Sequence, residues 1–244
     1  MSDTAGLASA AVLPLRDNVP TRRFPVVTLS LIVANVAFYV LVQHGGLTAP
    51  QGPIDDFAFH PCEVNDSCAV VGADWPLTAL TSMFMHGGLV HLGGNMLFLW
   101  IFGNNVEDTL GRFRYVVFYL GAGVAAAALQ TTVTLATASD TAAQIPNLGA
   151  SGAVSAVLGA YFVLLPNAKV LTLFFFVIIF FLQELPAWIF LAVYFILQAW
   201  EAGFQLQHPP EGGGTAVFAH IGGIAFGFLA VKVFQSRRPL RPRY

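Results

Sequence analysis

Charge is what this chain has little of. Of its 244 residues 10% are Asp, Glu, Lys or Arg and 56% are hydrophobic, with a mean hydropathy of +0.69, whereas soluble domains carry about 25% charged residues. That scarcity excludes an ordinary soluble domain and implies an integral membrane protein with one domain. The 11 basic residues form no continuous patch and the formal net charge is -2, so nothing marks a nucleic-acid binder. Residues 1–24 lack the ordered n-region, h-region and cleavage site of a removable signal.

The few basic residues fall in four places: Arg16, Arg22 and Arg23; Arg112 and Arg114; Lys169; and a C-terminal group from Lys232 to Arg243. Paired apolar stretches lie between them, and the loops inside each pair carry only acids, among them Asp55, Asp140, Glu201 and Glu211. By the positive-inside rule both termini are expected in the cytoplasm, so the number of spans is even. The sequence predicts an all-α bundle of six transmembrane helices at residues 26–43, 86–103, 115–135, 151–165, 186–203 and 217–234. A cytoplasmic lead (1–24) precedes the membrane domain (25–234), and a basic tail (235–244) follows it. Glu107, Asp108, Gly111 and Arg112 read as a cytoplasmic turn, and the apolar piece 170–182 as re-entrant or interfacial. The fourth span comes to only about 22 Å at 1.5 Å per residue, so the loop before it must dip into the membrane.

Carboxylates are missing from the middle of every proposed span, with Glu184 at the break before the fifth as the nearest exception. This excludes the paired acids of an aspartyl intramembrane protease and the relay acids of a proton pump. There is no His-Glu-x-x-His zinc signature. Polar groups do remain at membrane depth. Ser151 stands in Gly149-Ala150-Ser151-Gly152 at a helix start, where free N–H groups favour a developing negative charge, although a serine there can also simply cap the helix. His220 lies on a stripe of Ala219, Gly223 and Gly227, and Ser151, Ser155 and Gly159 repeat at the same interval; facing stripes would bring Ser151 to His220, or would only pack two helices. His91 and Asn95 share a helix face and can donate to an oxyanion or bond neighbouring helices. His86 is expected to brace the outer loop. A metal site of three histidines is the rival reading, without regular ligand spacing. Cys62 and Cys68, in the long outer loop 44–84, can close a short ring, remain free, or form a weak metal site with His60.

The motifs His86-x4-His91-x3-Asn95, Gly-Ala-Ser151-Gly and Ala-His220-x2-Gly223-x3-Gly227, in that order on the second, fourth and sixth spans, resemble those of the rhomboid intramembrane serine proteases of the six-span bacterial type. The resemblance implies Ser151 as nucleophile, His220 as base, and His91, Asn95 and the Ser151 N–H as oxyanion donors. It also implies transmembrane protein substrates entering sideways from the lipid bilayer, a bacterial plasma membrane, and no cofactor or metal. Two positions depart from it: Trp75-Pro76 stands where many members have Trp-Arg, and Ser155 where some have an aromatic stacked on the base. With no carboxylate at hand, packing is expected to orient the imidazole. A non-catalytic adaptor that binds transmembrane helices is the alternative.

Overall fold

The computed structural model describes residues 11–68, 72–137, 139–176, 179–208 and 214–242. Residues 1–10 of the lead, Glu211 and Arg243 lie outside the described residues. In chain order the elements are β1 (Ala11–Asp17), α1 (Val26–Ala37), α2 (Gln51–Phe57), α3 (Trp75–Thr81), α4 (Leu89–Phe98), α5 (Asn104–Leu110), α6 (Arg112–Thr137), α7 (Asp140–Ala143), α8 (Ser151–Leu164), β2 (Lys169–Phe176), β3 (Ile179–Pro186), α9 (Ala187–Gln207) and α10 (Val217–Phe234). Helices α6, α9 and α10 are long and apolar enough to cross a membrane, and Val26–Val42 and Ser151–Leu164 are shorter apolar helices.

Helix α8 is the centre of the molecule. Every residue from 152 to 161 is buried, and the side chains that make this possible are small. A Cβ added at Gly223 of α10 would lie 2.0 Å from the Gly152 carbonyl oxygen, and one at Gly227 2.2 Å from that of Ala156. Backbone therefore lies on backbone, as small-residue stripes permit. The stripe on α8 is only partly the expected one. Gly159 does pack on Ile224 and Gly227 of α10, but Gly152 and Ala156, rather than Ser151 and Ser155, lie under Gly223 and Gly227, and because successive helical residues are turned by about 100°, Ser151 and Ser155 swing to a neighbouring face.

The fold is not all-α. β1, β2 and β3 form an antiparallel sheet, with Lys169 opposite Pro186 and Phe176 opposite Ile179 in the β2–β3 pair. Apolarity alone cannot separate a buried helix from a strand, but Val, Thr and Phe dominate β2 and favour the pleated form. β1 runs beside β2 with an irregularity between Pro14 and Arg16, where proline supplies no N–H. Part of the lead thus belongs to the folded body.

Glu107 and Asp108 are likewise not in the turn, which is at Gly111: they belong to helix α5 and both are buried. Glu107 accepts the N–H groups of Val27 (3.0 Å) and Thr28 (2.7 Å) at the start of α1. Asp108 accepts the N–H groups of Arg22 and Arg23 and lies between the guanidinium groups of Arg22 (3.6 Å) and Arg237 (3.7 Å). A carboxylate at a helix N-terminus satisfies donors that the helix itself leaves free.

Candidate active site

The loop leading into α8 is fixed from outside. Phe59 and Asn147 exchange backbone hydrogen bonds of 3.2 and 2.7 Å, and the Gly149 N–H donates to the Ser82 carbonyl at 2.9 Å. The long loop 44–84, in which Cys62 and Cys68 are joined by a disulfide, therefore holds the segment before Ser151. Gly149 has φ +120, a left-handed conformation suited to glycine. A Cβ there would sit 2.9 Å from His91 Nε2 and 3.6 Å from Ser151 Oγ, so the missing side chain leaves room for both groups.

Ser151 is the first residue of α8 and does not cap it; Ala150 holds the cap position and makes no side-chain cap bond. The N–H groups that open the helix are left without a capping side chain, and an acceptor arriving there would meet them. Among the described residues no hydrogen bond of the Ser151 hydroxyl is formed. Ser151 and His220 line one cavity of about 890 Å³ with His91 and Asn95. No Asp, Glu, Lys or Arg is among the described residues lining it.

The two histidines are set in opposite senses. The Gly87 N–H donates to His91 Nδ1 at 3.4 Å; a neutral imidazole has one N–H and one lone pair, so the His91 proton resides on Nε2, the atom next to Gly149. The buried His220 ring instead places Nδ1 2.8 Å from Gln198 Oε1 of α9. Asn95 is buried, and its Nδ2 has no hydrogen-bond partner among the described residues. An unpaired buried donor calls for an explanation, and this one lines the cavity that holds Ser151.

His86 is tied through its backbone: its N–H donates to Gln43 Oε1 and its carbonyl accepts from Gln43 Nε2, both at 2.9 Å. Its ring lies 5.1 Å from that of His91, edge to face. It supports His91 rather than entering the cavity wall.

The chemistry-bearing residues that sequence reasoning passed over are on α9. Gln198 bonds the His220 ring, and Tyr194 bonds the Ser155 hydroxyl at 3.1 Å. Packing alone therefore does not orient His220. A carboxamide inside an apolar span was the available signal.

Comparison with known proteins bears on this arrangement. Residues 75–237 match the Rhomboid domain family model. The chain belongs to the rhomboid family. It is 30% identical over 212 residues to Rhomboid protease GluP of Bacillus subtilis, covering 86% of this chain and 34% of that protein. It is 32% identical over 172 residues to Rhomboid protein 1, mitochondrial, of Saccharomyces cerevisiae, covering 68% of this chain and 45% of the relative. With the mitochondrial Presenilin-associated rhomboid-like protein of Bos taurus it shares 30% over 172 residues, covering 66% and 40%. This rhomboid chain thus spans less than half the length of these curated relatives.

Proposed function

We propose that this rhomboid-family membrane protein is an intramembrane serine protease that hydrolyses peptide bonds in or beside transmembrane segments of membrane-protein substrates. The observation that carries the reading is the sharing of one cavity by Ser151, His220, His91 and Asn95. Attack of Ser151 Oγ on the scissile carbonyl forms the Oγ–C bond while the hydroxyl proton moves to His220 Nε2. The oxyanion is met by the Ser151 N–H at the helix start, His91 Nε2–H and Asn95 Nδ2. The imidazolium returns its proton to the leaving nitrogen, and water then cleaves the acyl-enzyme.

The topology in this reading is six spans with both termini in the cytoplasm of a bacterial plasma membrane. Its support is that Arg22 of the lead and Arg237 of the tail both lie against Asp108 of α5, a contact that fits a shared side for the three segments. The disulfide loop is bonded through Phe59 to Asn147, which lines the cavity, and an outer, oxidising space suits the disulfide. Transmembrane proteins are the partners this site calls for, and no cofactor enters the chemistry.

The test is a serine-directed fluorophosphonate probe together with cleavage of a transmembrane reporter in proteoliposomes. Wild type is expected to label and cleave, and folded Ser151→Ala to do neither. Cleavage by folded Ser151→Ala would refute the assignment.

A further inference from the structure

We propose that Gln198 is the positioning residue of this site, holding the His220 ring as the Nδ1–H tautomer so that Nε2 is free to take the Ser151 proton. The proposal rests on the serine protease reading. Its basis is the 2.8 Å separation of His220 Nδ1 and Gln198 Oε1. An amide oxygen can only accept, so the ring proton must lie on Nδ1 and the lone pair on Nε2. With the amide turned over, its N–H would face Nδ1, the proton would move to Nε2, and the base would be lost.

Nothing on α10 itself fixes the ring. The His220 backbone N–H bonds the Ala216 carbonyl at 3.4 Å, which sets where the side chain begins and not how the imidazole turns. The acceptor comes from a different helix. One turn before it, Tyr194 bonds Ser155 of α8 at 3.1 Å, so the same face of α9 is pinned both to the helix of the nucleophile and to the helix of the base. The Ser155 hydroxyl thus ties α9 to α8.

Proton bookkeeping assigns Gln198 one constant task. The Ser151 proton goes to Nε2 as the Oγ–C bond forms and leaves on the amine nitrogen as the C–N bond breaks, while Nδ1 keeps its proton and donates it in a hydrogen bond to Oε1 throughout. A carboxylate would do this and also stabilise the imidazolium, but an ion set against the buried His220 ring carries a desolvation cost. The carboxamide fixes the tautomer without a charge. The cavity's described lining includes His91 and Tyr194 as its other titratable side chains and no Asp, Glu, Lys or Arg; no ionic group competes for the ring.

The experiment compares wild type, Gln198→Leu and Gln198→Glu in proteoliposomes, reading kcat, KM and the pH profile of kcat on a transmembrane reporter. Leu removes the acceptor, and kcat is expected to fall about 10- to 100-fold with KM nearly unchanged, as loss of catalytic orientation predicts. Glu restores an acceptor. It should recover most of the rate and move the acidic limb of the profile to higher pH, since a carboxylate at Nδ1 favours the protonated ring. Wild-type kcat in Leu, or a Glu variant whose acidic limb coincides with that of wild type, overturns the proposal. The second criterion holds even if the Leu variant does not fold. A wild-type protein that neither cleaves nor labels overturns the protease reading instead.

Discussion

Gly223 of α10 stands directly over the carbonyl of Gly152, the residue after the candidate nucleophile: a Cβ at 223 would come within 2.0 Å of that oxygen. The contact is with backbone, so no side-chain rotation relieves it. Gly223→Ala must therefore push α10 from α8, with a cost of about 1–3 kcal/mol for overpacking. Activity should fall further than stability, because the same shift moves His220 relative to Ser151. Gly93→Ala, where nothing lies within 4 Å of the added carbon, is the control. Unfolding in detergent and reporter cleavage should separate the two, and a Gly223→Ala protein as stable and active as Gly93→Ala would contradict this packing.

Asn95→Ala removes a buried, unpaired donor, so it should lower turnover by about 10² to 10³ while the serine still labels with the probe. His86→Ala, whose ring touches that of His91, should act mainly by destabilising the fold. If the two variants lose folding and activity in equal proportion, Asn95 is only structural.

How much of this was legible beforehand depended on which physical signal a residue leaves. Spans 151–165 and 217–234 end within a residue of α8 and α10, because Pro166 and the polar tail stop them sharply. The 170–182 run gave no such punctuation: an almost wholly apolar stretch has neither a 3.6- nor a 2-residue period, and while its strands β2 and β3 pair with each other, the third strand, β1, is more than 150 positions away in register, as Ala11 opposite Phe175. Of the expected α8 stripe Gly159 packs on α10, whereas Ser151 and Ser155 gave way to Gly152 and Ala156, because both sets repeat at four. Gln198 was visible as a polar residue in the fifth span, but attention to ionisable groups passed over a neutral amide whose value lies in its acceptor.

Cys62 and Cys68 are bonded in the structure, and Phe59 nearby holds Asn147. Thiol alkylation of the unreduced, unfolded protein should modify neither cysteine, and reduction should expose both. A paired serine substitution is expected to destabilise by about 2–3 kcal/mol for so short a ring. Modification without reductant would show that the bridge is not formed.

Asp17, at the end of β1, accepts from Tyr161 Oη at 2.6 Å and Asn105 Nδ2 at 2.5 Å. Burial outweighs these bonds and holds its carboxyl above the ordinary value of 3.8. The folded state therefore keeps a proton over a pH range in which the unfolded chain has released it, and stability declines as pH rises from 3.8 through the folded pKa. Asp17→Asn retains an acceptor for Tyr161 and removes the titration. Its unfolding midpoint should be flatter across that window than that of wild type; identical slopes would place the pH dependence elsewhere.

The dyad makes the sharpest demand on measured rates. If His220 acts only by taking the Ser151 proton, removing either partner leaves the other with nothing to do. Ser151→Ala and His220→Ala should each abolish cleavage of the reporter, and the double variant should be no worse than either, because residues acting as a unit are not additive. Independent contributions would multiply instead. Wild-type activity should also fall toward acid pH, since protonation of His220 removes the lone pair that accepts the hydroxyl proton. A double variant measurably worse than both single ones would mean that the two residues contribute separately, and the proton transfer from Ser151 to His220 would have to be given up.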